Sequence, residues 1–269
     1  MKNFSNRYIF IYSAVLVAVV AVILSVVAMG LKDRQQENIR NEKMQTLLAA
    51  INVNTDRDGA EALYTQYFTR ELTVSTDGTI LSDYNIATGE MSQGTVRAFN
   101  VNLKSEQNKE KSGEQGAFPI YTFEKDGEFG YVIPTQGNGL WGPVYANIAL
   151  ASDLNTIIGV TFSHDSETPG LGAEITTEKF QKPFIGKKIL DEQGNVVSVA
   201  VKKHADPAGE HEVDAISGGT MTSNGVSAML GDDLVRYQAF INNMLQSQPQ
   251  AEAPADETAN NTEKEASNE

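Results

Sequence analysis

Cysteine is missing from all 269 residues, which removes disulfides, thiolate nucleophiles, CxxC zinc sites and cysteine-ligated iron–sulfur clusters. Redox chemistry in such a chain needs an organic cofactor or a metal held without thiolates. Positive charge is also scarce, since 21 Lys and Arg against 35 Asp and Glu leave a formal net charge of −14. Affinity for nucleic acid comes from clustered cations that displace counterions from phosphates, so nucleic acid is not an expected partner. Tryptophan occurs once, at position 141. Apolar residues, at 41 per cent, are plentiful enough to build a core and exclude wholesale disorder.

Residues 8–29 form a charge-free run rich in Val, Ala, Ile and Leu, interrupted only by Ser13 and Ser25. At ~1.5 Å per residue a helix of that length crosses the ~30 Å hydrocarbon layer. A cleavable signal peptide competes, because Val26 and Ala28 resemble a cleavage site, but its apolar region spans only ~7–15 residues. A retained transmembrane anchor over residues 1–31 is the expectation. Lys2 and Arg7 on one side face Lys32, Arg34, Arg40 and Lys43 on the other, so the positive-inside count chooses no orientation.

Beyond the anchor, Ile39, Met44, Leu47, Leu48 and Ile51 recur at helical spacing, and Leu63, Tyr64, Tyr67 and Phe68 share the face of a second helix. Residues 32–72 therefore read as a helical linker region. From Leu72 onward the pattern changes to short strands: a hairpin over 120–134 turning at Asp126-Gly127, strands over 144–151 and 156–162 joined by Asp153-Leu154-Asn155, and another over 196–201. Residues 104–116 read as a polar loop, and a short helix over 176–182 stops at Pro183. A last helix over 223–245 carries Val226, Met229, Leu230, Leu234, Tyr237, Phe240, Ile241 and Met244 on its apolar face. This order predicts an α+β chain, with one N-terminal transmembrane helix followed by a soluble mixed β-sheet domain with flanking helices over 73–245. Residues 246–269 hold six acids against Lys264 and no aromatic or β-branched aliphatic residue, the composition of a disordered acidic tail.

Several segments carry residue types suited to chemistry. Ser163-His164-Asp165 has the members of a nucleophilic triad, but neighbours on an extended segment point to alternate sides and cannot align. His204, Asp206, Glu210, His211 and Glu212 offer metal-ligand types on a loop marked by Pro207 and Gly209, where nothing periodic fixes their spacing, so a solvated loop is the better reading. Glu167-Thr168-Pro169-Gly170-Leu171-Gly172 is a shaped turn that fits a ligand cradle and a plain turn equally well. Trp141 sits between glycines, where its residue type alone favours core packing over stacking on a flat ligand. Asp214-Ala215-Ile216-Ser217-Gly218-Gly219-Thr220 precedes the last helix. Glycines and hydroxyls at a helix start suit a phosphate, while taken alone the segment reads as an N-cap by Thr222, Ser223 or Asn224.

Asp214-x-x-Ser217-Gly218-Gly219-Thr220 resembles the flavinylation motif Asp-x-x-Ser/Thr-Gly-Ala-Thr of the FMN-binding domain family, with Gly219 in place of the usual alanine. Glu167 to Gly172 is similar to that family's Glu-Thr-Pro-Gly-Leu-Gly segment. Two respiratory subunit families share these motifs, the C subunits of sodium-translocating NADH:quinone reductases and the G subunits of Rnf ferredoxin:NAD oxidoreductases. Gly139-Leu140-Trp141, Ser223-Asn224-Gly225 and the long N-terminal portion look more like the former. The resemblance implies a covalent FMN on Thr220, electron relay within a membrane complex of other subunits, a flavin transferase for maturation, and a periplasmic domain anchored in the cytoplasmic membrane. Under it, Trp141 and Leu171 are expected as apolar walls for the flavin ring and Glu167 and Thr168 as polar contacts. Ser217, Gly218 and Thr222 are expected beside the phosphate and ribityl chain, and no catalytic or metal residue is expected.

Overall fold

The computed structural model describes residues 5–247. Of the expected tail, 248–269 lie outside the described residues, and Gln246 and Ser247 still belong to the last helix.

Helix α1, Asn6–Ala50, is one rod of 45 residues. The Ser5 hydroxyl caps it by accepting from the Tyr8 N–H at 3.3 Å. Nothing between the apolar run and Ile51 breaks it, since proline is absent and one interior glycine, Gly30, costs only ~1 kcal/mol. The helix expected around 39–51 is therefore the end of the anchor helix itself. Residues 5–40 are exposed along their whole length, and Met44, Leu47, Leu48 and Ala50 are buried. The rod thus joins a segment with the length and apolarity to cross a membrane directly to the folded domain.

Helix α2, Ala60–Tyr67, runs straight into strand β1, Phe68–Val74. The expected boundary at 72/73 consequently falls inside a strand, and Phe68 opens β1 rather than closing the helix. Strands β2 (Ile80–Asn85), β3 (Glu90–Gln93), β4 (Phe118–Lys125), β5 (Glu128–Asn138), β6 (Pro143–Ala151) and β7 (Ile157–His164) complete a seven-stranded sheet in the order β3-β2-β1-β4-β5-β6-β7. All its pairings are antiparallel. Parallel pairing is confined to a separate ribbon of β8 (Ala200–Lys202) and β9 (Glu212–Asp214). The β4–β5 hairpin turns at Asp126 and Gly127, both at positive φ (55° and 81°), the type I′ geometry that matches strand twist. Between β6 and β7 the Asp153 carboxylate accepts from the Asn155 and Thr156 N–H groups at 2.9 Å, folding the turn on itself.

Alternate residues of one strand serve two cores. Tyr121, Phe123 and Val132 face the end of α1 and α2, while Phe118, Ile120, Tyr131 and Ile133 face the C-terminal helices. Those helices are α5, Thr220–Leu234, and α6, Gln238–Ser247, separated by a 3₁₀ turn at Val235–Tyr237. The single helix expected over 223–245 thus starts three residues earlier and breaks once. The chain over 172–184 forms α4, Glu178–Gln181, between two 3₁₀ turns, the second containing Pro183. Of the strand expected over 196–201, only its end enters β8, and Val196 makes a lone bridge to Leu190.

The expected loop at 104–116 is the largest departure. Residues Leu103–Lys111 form helix α3. It has no apolar stripe to reveal it. The Asn102 side chain caps it by accepting from Ser105 N–H at 3.0 Å. The Gln107 amide ties it to the body, donating to the Gln136 carbonyl at 2.8 Å and to Asp233 at 2.9 Å.

Candidate functional site

Three loops meet where α5 begins: residues 139–142 between β5 and β6, residues 165–172 after β7, and residues 215–219 after β9. Each contributes glycine, and at Gly139, Gly172 and Gly218 the room a Cβ would need is taken by the side chains of Glu167, Thr222 and Leu171. An added Cβ at Gly172 would strike the Glu167 carboxylate and the Thr222 hydroxyl. The 168–171 turn has Pro169 followed by Gly170 at φ 76°, the type II pattern, and the Thr168 carbonyl accepts from the Leu171 N–H at 3.1 Å.

Thr220 is the first residue of α5 and is exposed. The residue before it, Gly219, provides no side-chain cap. The expected caps are elsewhere: Thr222 and Ser223 lie inside the helix and are buried, Thr222 donating to Glu167 and Ser223 accepting from the Ile216 N–H at 3.1 Å. Among the described residues no side chain caps the first N–H groups of α5, and the exposed Thr220 has no hydrogen-bond partner for its hydroxyl. An uncapped N-terminus of this kind favours an anion, through both its N–H groups and its dipole. Gly218, at φ 78°, turns the chain into it, and Ser217 is exposed beside it.

The surroundings are apolar and open. Trp141 is 66 per cent exposed, Met221 61 per cent and Leu171 43 per cent. Core packing of the single tryptophan, which its residue type favours, does not occur, because Trp141 lies in the turn that joins the ends of β5 and β6 and its side chain is exposed there. A Cβ on Gly218 would meet the Leu171 side chain at 2.9 Å, which sets Leu171 against the loop that leads to Thr220. Leu140, inside the Gly139-Leu140-Trp141 segment but not among the expected contacts, and Met221 add exposed apolar surface. Their only signal in the sequence is a large apolar residue flanking each glycine and hydroxyl cluster.

Two expected ligand contacts point inward instead. Glu167 is 5 per cent exposed and accepts from Thr222 Oγ1 at 2.6 Å and from the Trp141 N–H at 2.9 Å. Burial opposes its charge, but the Thr222 hydroxyl, the Trp141 and Leu140 N–H groups and nearby His164 outweigh it and hold the carboxyl below the ordinary glutamate value. Thr222 is buried, and its hydroxyl is engaged by Glu167. Thr168 stays exposed on its turn.

The remaining candidates do not converge here. His164 Nδ1 accepts from the Glu167 N–H at 3.2 Å, whereas Asp165 accepts from the Tyr145 hydroxyl at 3.2 Å, so Ser163-His164-Asp165 divides between separate partners. Glu210 pairs with Lys188 at 2.6 Å and Glu212 with Lys202 at 2.7 Å. Asp206 accepts from the Ala208 N–H at 2.9 Å. Among the described residues no three His, Cys, Asp or Glu side chains group to hold a metal.

The antiparallel sheet, the glycine-framed corner and the threonine at an uncapped helix start define the class. The FMN-binding domain model matches residues 139–234, which contain all three loops. The C subunit of Na(+)-translocating NADH-quinone reductase from Vibrio vulnificus is 32 per cent identical over 211 residues, covering 77 per cent of this chain and 82 per cent of its own length. The corresponding protein of Neisseria meningitidis serogroup B is 32 per cent identical over 228 residues, covering 83 and 87 per cent. A crystal structure of the Parabacteroides distasonis C subunit superposes with a TM-score of 0.67 at 37 per cent identity, covering 78 per cent of this chain and 96 per cent of that one. The chain belongs to the C-subunit family of Na(+)-translocating NADH-quinone reductases.

Proposed function

We propose that this chain is a membrane-anchored flavoprotein subunit that relays electrons through one FMN joined to Thr220 by a phosphoester, within a sodium-translocating NADH:quinone oxidoreductase. The observation that carries the reading is the exposed Thr220 hydroxyl at the uncapped start of α5, flanked by exposed Trp141, Leu171 and Met221. The N–H groups of α5 suit a phosphate, and the apolar side chains suit a flat ring. FMN supplies reversible electron acceptance that no side chain here offers. Ser217 and Gly218 border the phosphate position, Trp141 and Leu171 the ring, and Thr168 offers a polar contact at the rim.

Attachment needs help. From FAD, a bond forms between Thr220 Oγ1 and the flavin-side phosphorus while the pyrophosphate P–O bond breaks, AMP leaves with the electron pair, and the hydroxyl proton passes to a base. A threonine hydroxyl is a weak nucleophile without such a base, and no side chain hydrogen-bonds to Thr220 among the described residues. A flavin transferase is therefore the maturation partner. NADH oxidation, quinone reduction and the sodium path belong to other subunits, since on this reading the described residues hold one flavin position. α1 anchors the protein in the cytoplasmic membrane, with residues 32–269 on the periplasmic side. The motif resemblance supports that orientation, and a chain lacking cysteine accords with it.

Denaturing electrophoresis under ultraviolet light tests the reading. The chain made with a transferase is expected to give a fluorescent band, and the chain made without one a colourless protein. A band that stays dark after co-expression overturns covalent attachment, and labelling of the purified chain by FAD alone overturns the need for a transferase. A reporter active only outside the cytoplasm, fused after Leu245, tests orientation: a silent fusion reverses it.

A further inference from the structure

The corner around Thr220 is organised by one buried carboxylate. Glu167 joins two loops to α5: it lies in the second loop, accepts from the Trp141 N–H of the first, and accepts from Thr222 in the first turn of the helix that the third loop leads into. An added Cβ at Gly139, as at Gly172, would collide with the Glu167 carboxylate. Neither glycine has positive φ, so both mark room taken by that carboxylate and not a turn requirement. No Lys or Arg pairs with Glu167 among the described residues, and its strong hydrogen bonds come from the segments it joins.

The helix converts this clamp into a presentation device. Residues two apart on an α-helix are turned by about 200°, so pinning the Thr222 side chain inward turns the Thr220 side chain outward. We propose that Glu167 is a positioning residue, which acts through Thr222 and the backbone of residues 140–141 to present Thr220 for flavin attachment and to hold Trp141 beside it. This rests on Thr220 being the attachment residue.

The single tryptophan makes the test possible on the full-length chain in detergent. Trp141 anisotropy, measured on protein made without a transferase, reports the mobility of its loop with no flavin present. The rate of attachment from FAD, with purified transferase, reports presentation of Thr220. Thr222→Val removes the hydroxyl at nearly constant volume, and Thr222→Ser restores it. A hydrogen bond to a charged group is worth enough to change a rate by about tenfold. Thr222→Val and Glu167→Ala are expected to lower Trp141 anisotropy and slow attachment about tenfold, with far-UV circular dichroism unchanged, and Thr222→Ser to recover both. Thr222→Val with wild-type anisotropy and rate overturns the proposal, and so does a freed Trp141 with an undiminished rate. Should wild-type chain accept no flavin on Thr220, the attachment reading falls, and the anisotropy arm alone decides the clamp: unchanged anisotropy in Thr222→Val then overturns it.

Discussion

Glu71 and Glu167 are both closed off from solvent, at 0 and 5 per cent exposure, yet their surroundings differ in kind. Glu71 sits on β1 beneath α2 and receives the Arg97 guanidinium, the Tyr64 hydroxyl at 3.1 Å and the Phe99 N–H at 3.0 Å. Arg97 lies 3.9 Å over the Tyr84 ring, and Lys43 of α1 donates to the Phe99 carbonyl at 2.6 Å. Burial pulls Lys43 down to about 8 despite the attraction of Glu71. This carboxylate is paired with a cation and roofed by rings, and it fastens α2 and the 97–99 segment to β1, a segment that Lys43 of α1 also holds. Glu167 has no Lys or Arg partner among the described residues, its donors include the Trp141 N–H of a glycine-framed loop and the Thr222 hydroxyl of α5, and exposed Thr220 and Trp141 lie just beyond it. A buried charge enclosed by regular elements serves the fold, whereas one that ties loops to a helix start at the ends of strands serves what they present.

The contrast breaks first at Thr220. Thr220→Ala is expected to abolish covalent flavin while leaving unfolding unchanged within about 0.5 kcal/mol, since an exposed hydroxyl without a partner contributes no packing. In-gel fluorescence beside thermal unfolding checks both halves. Flavin retained on the variant moves the anchor to another residue.

Glu71→Ala is expected to do the reverse. Removing one member of a buried pair strands the other, at a cost of about 3 kcal/mol, while folded molecules still accept flavin at the wild-type rate. Chemical denaturation and the attachment assay decide it. A loss of attachment in well-folded protein would merge the two regions that the comparison separates.

Acid sharpens the difference between carboxyls. The Glu167 value is held below the ordinary one, so its contribution is present at neutral pH and fades as pH falls through the depressed folded value. Trp141 anisotropy is expected to drop in that acid range in wild type and not in Glu167→Gln. Asp233 behaves oppositely: burial raises it to about 6, against the Gln136 N–H, Arg236 and the Gln107 amide. The folded state then binds the extra proton between about 3.8 and 6, so its contribution to stability falls as pH rises through that window. Asp233→Asn should flatten this slope, the smallest of the expected effects, in denaturation curves taken across it.

What the sequence revealed follows the range over which each feature is encoded. The long apolar N-terminal helix, the Asp126-Gly127 hairpin and the apolar face of the C-terminal helices are local patterns, and the structure contains them. Helix α3 lacked a pattern because a cap at Asn102 and the long-range ties of Gln107 stabilise it in place of an apolar stripe. In the corner, residue types named the segments but not the direction of their side chains. Thr222 and Thr220 are equivalent as hydroxyls until α5 is seen to start at Thr220, which turns one inward and the other out. Trp141 as a residue type belongs in a core, and only its place in the turn between β5 and β6 exposes it. Glu167 looked like a ligand contact because its bond to Thr222 spans 55 positions of sequence.

Mass measurement of the peptide spanning 214–225, cut from chain matured in a transferase-competent host, tests the central claim most directly. One FMN less one water is expected on that peptide, with fragmentation placing it on Thr220. An adduct on Ser217, or an unmodified peptide beside active transferase, would contradict it.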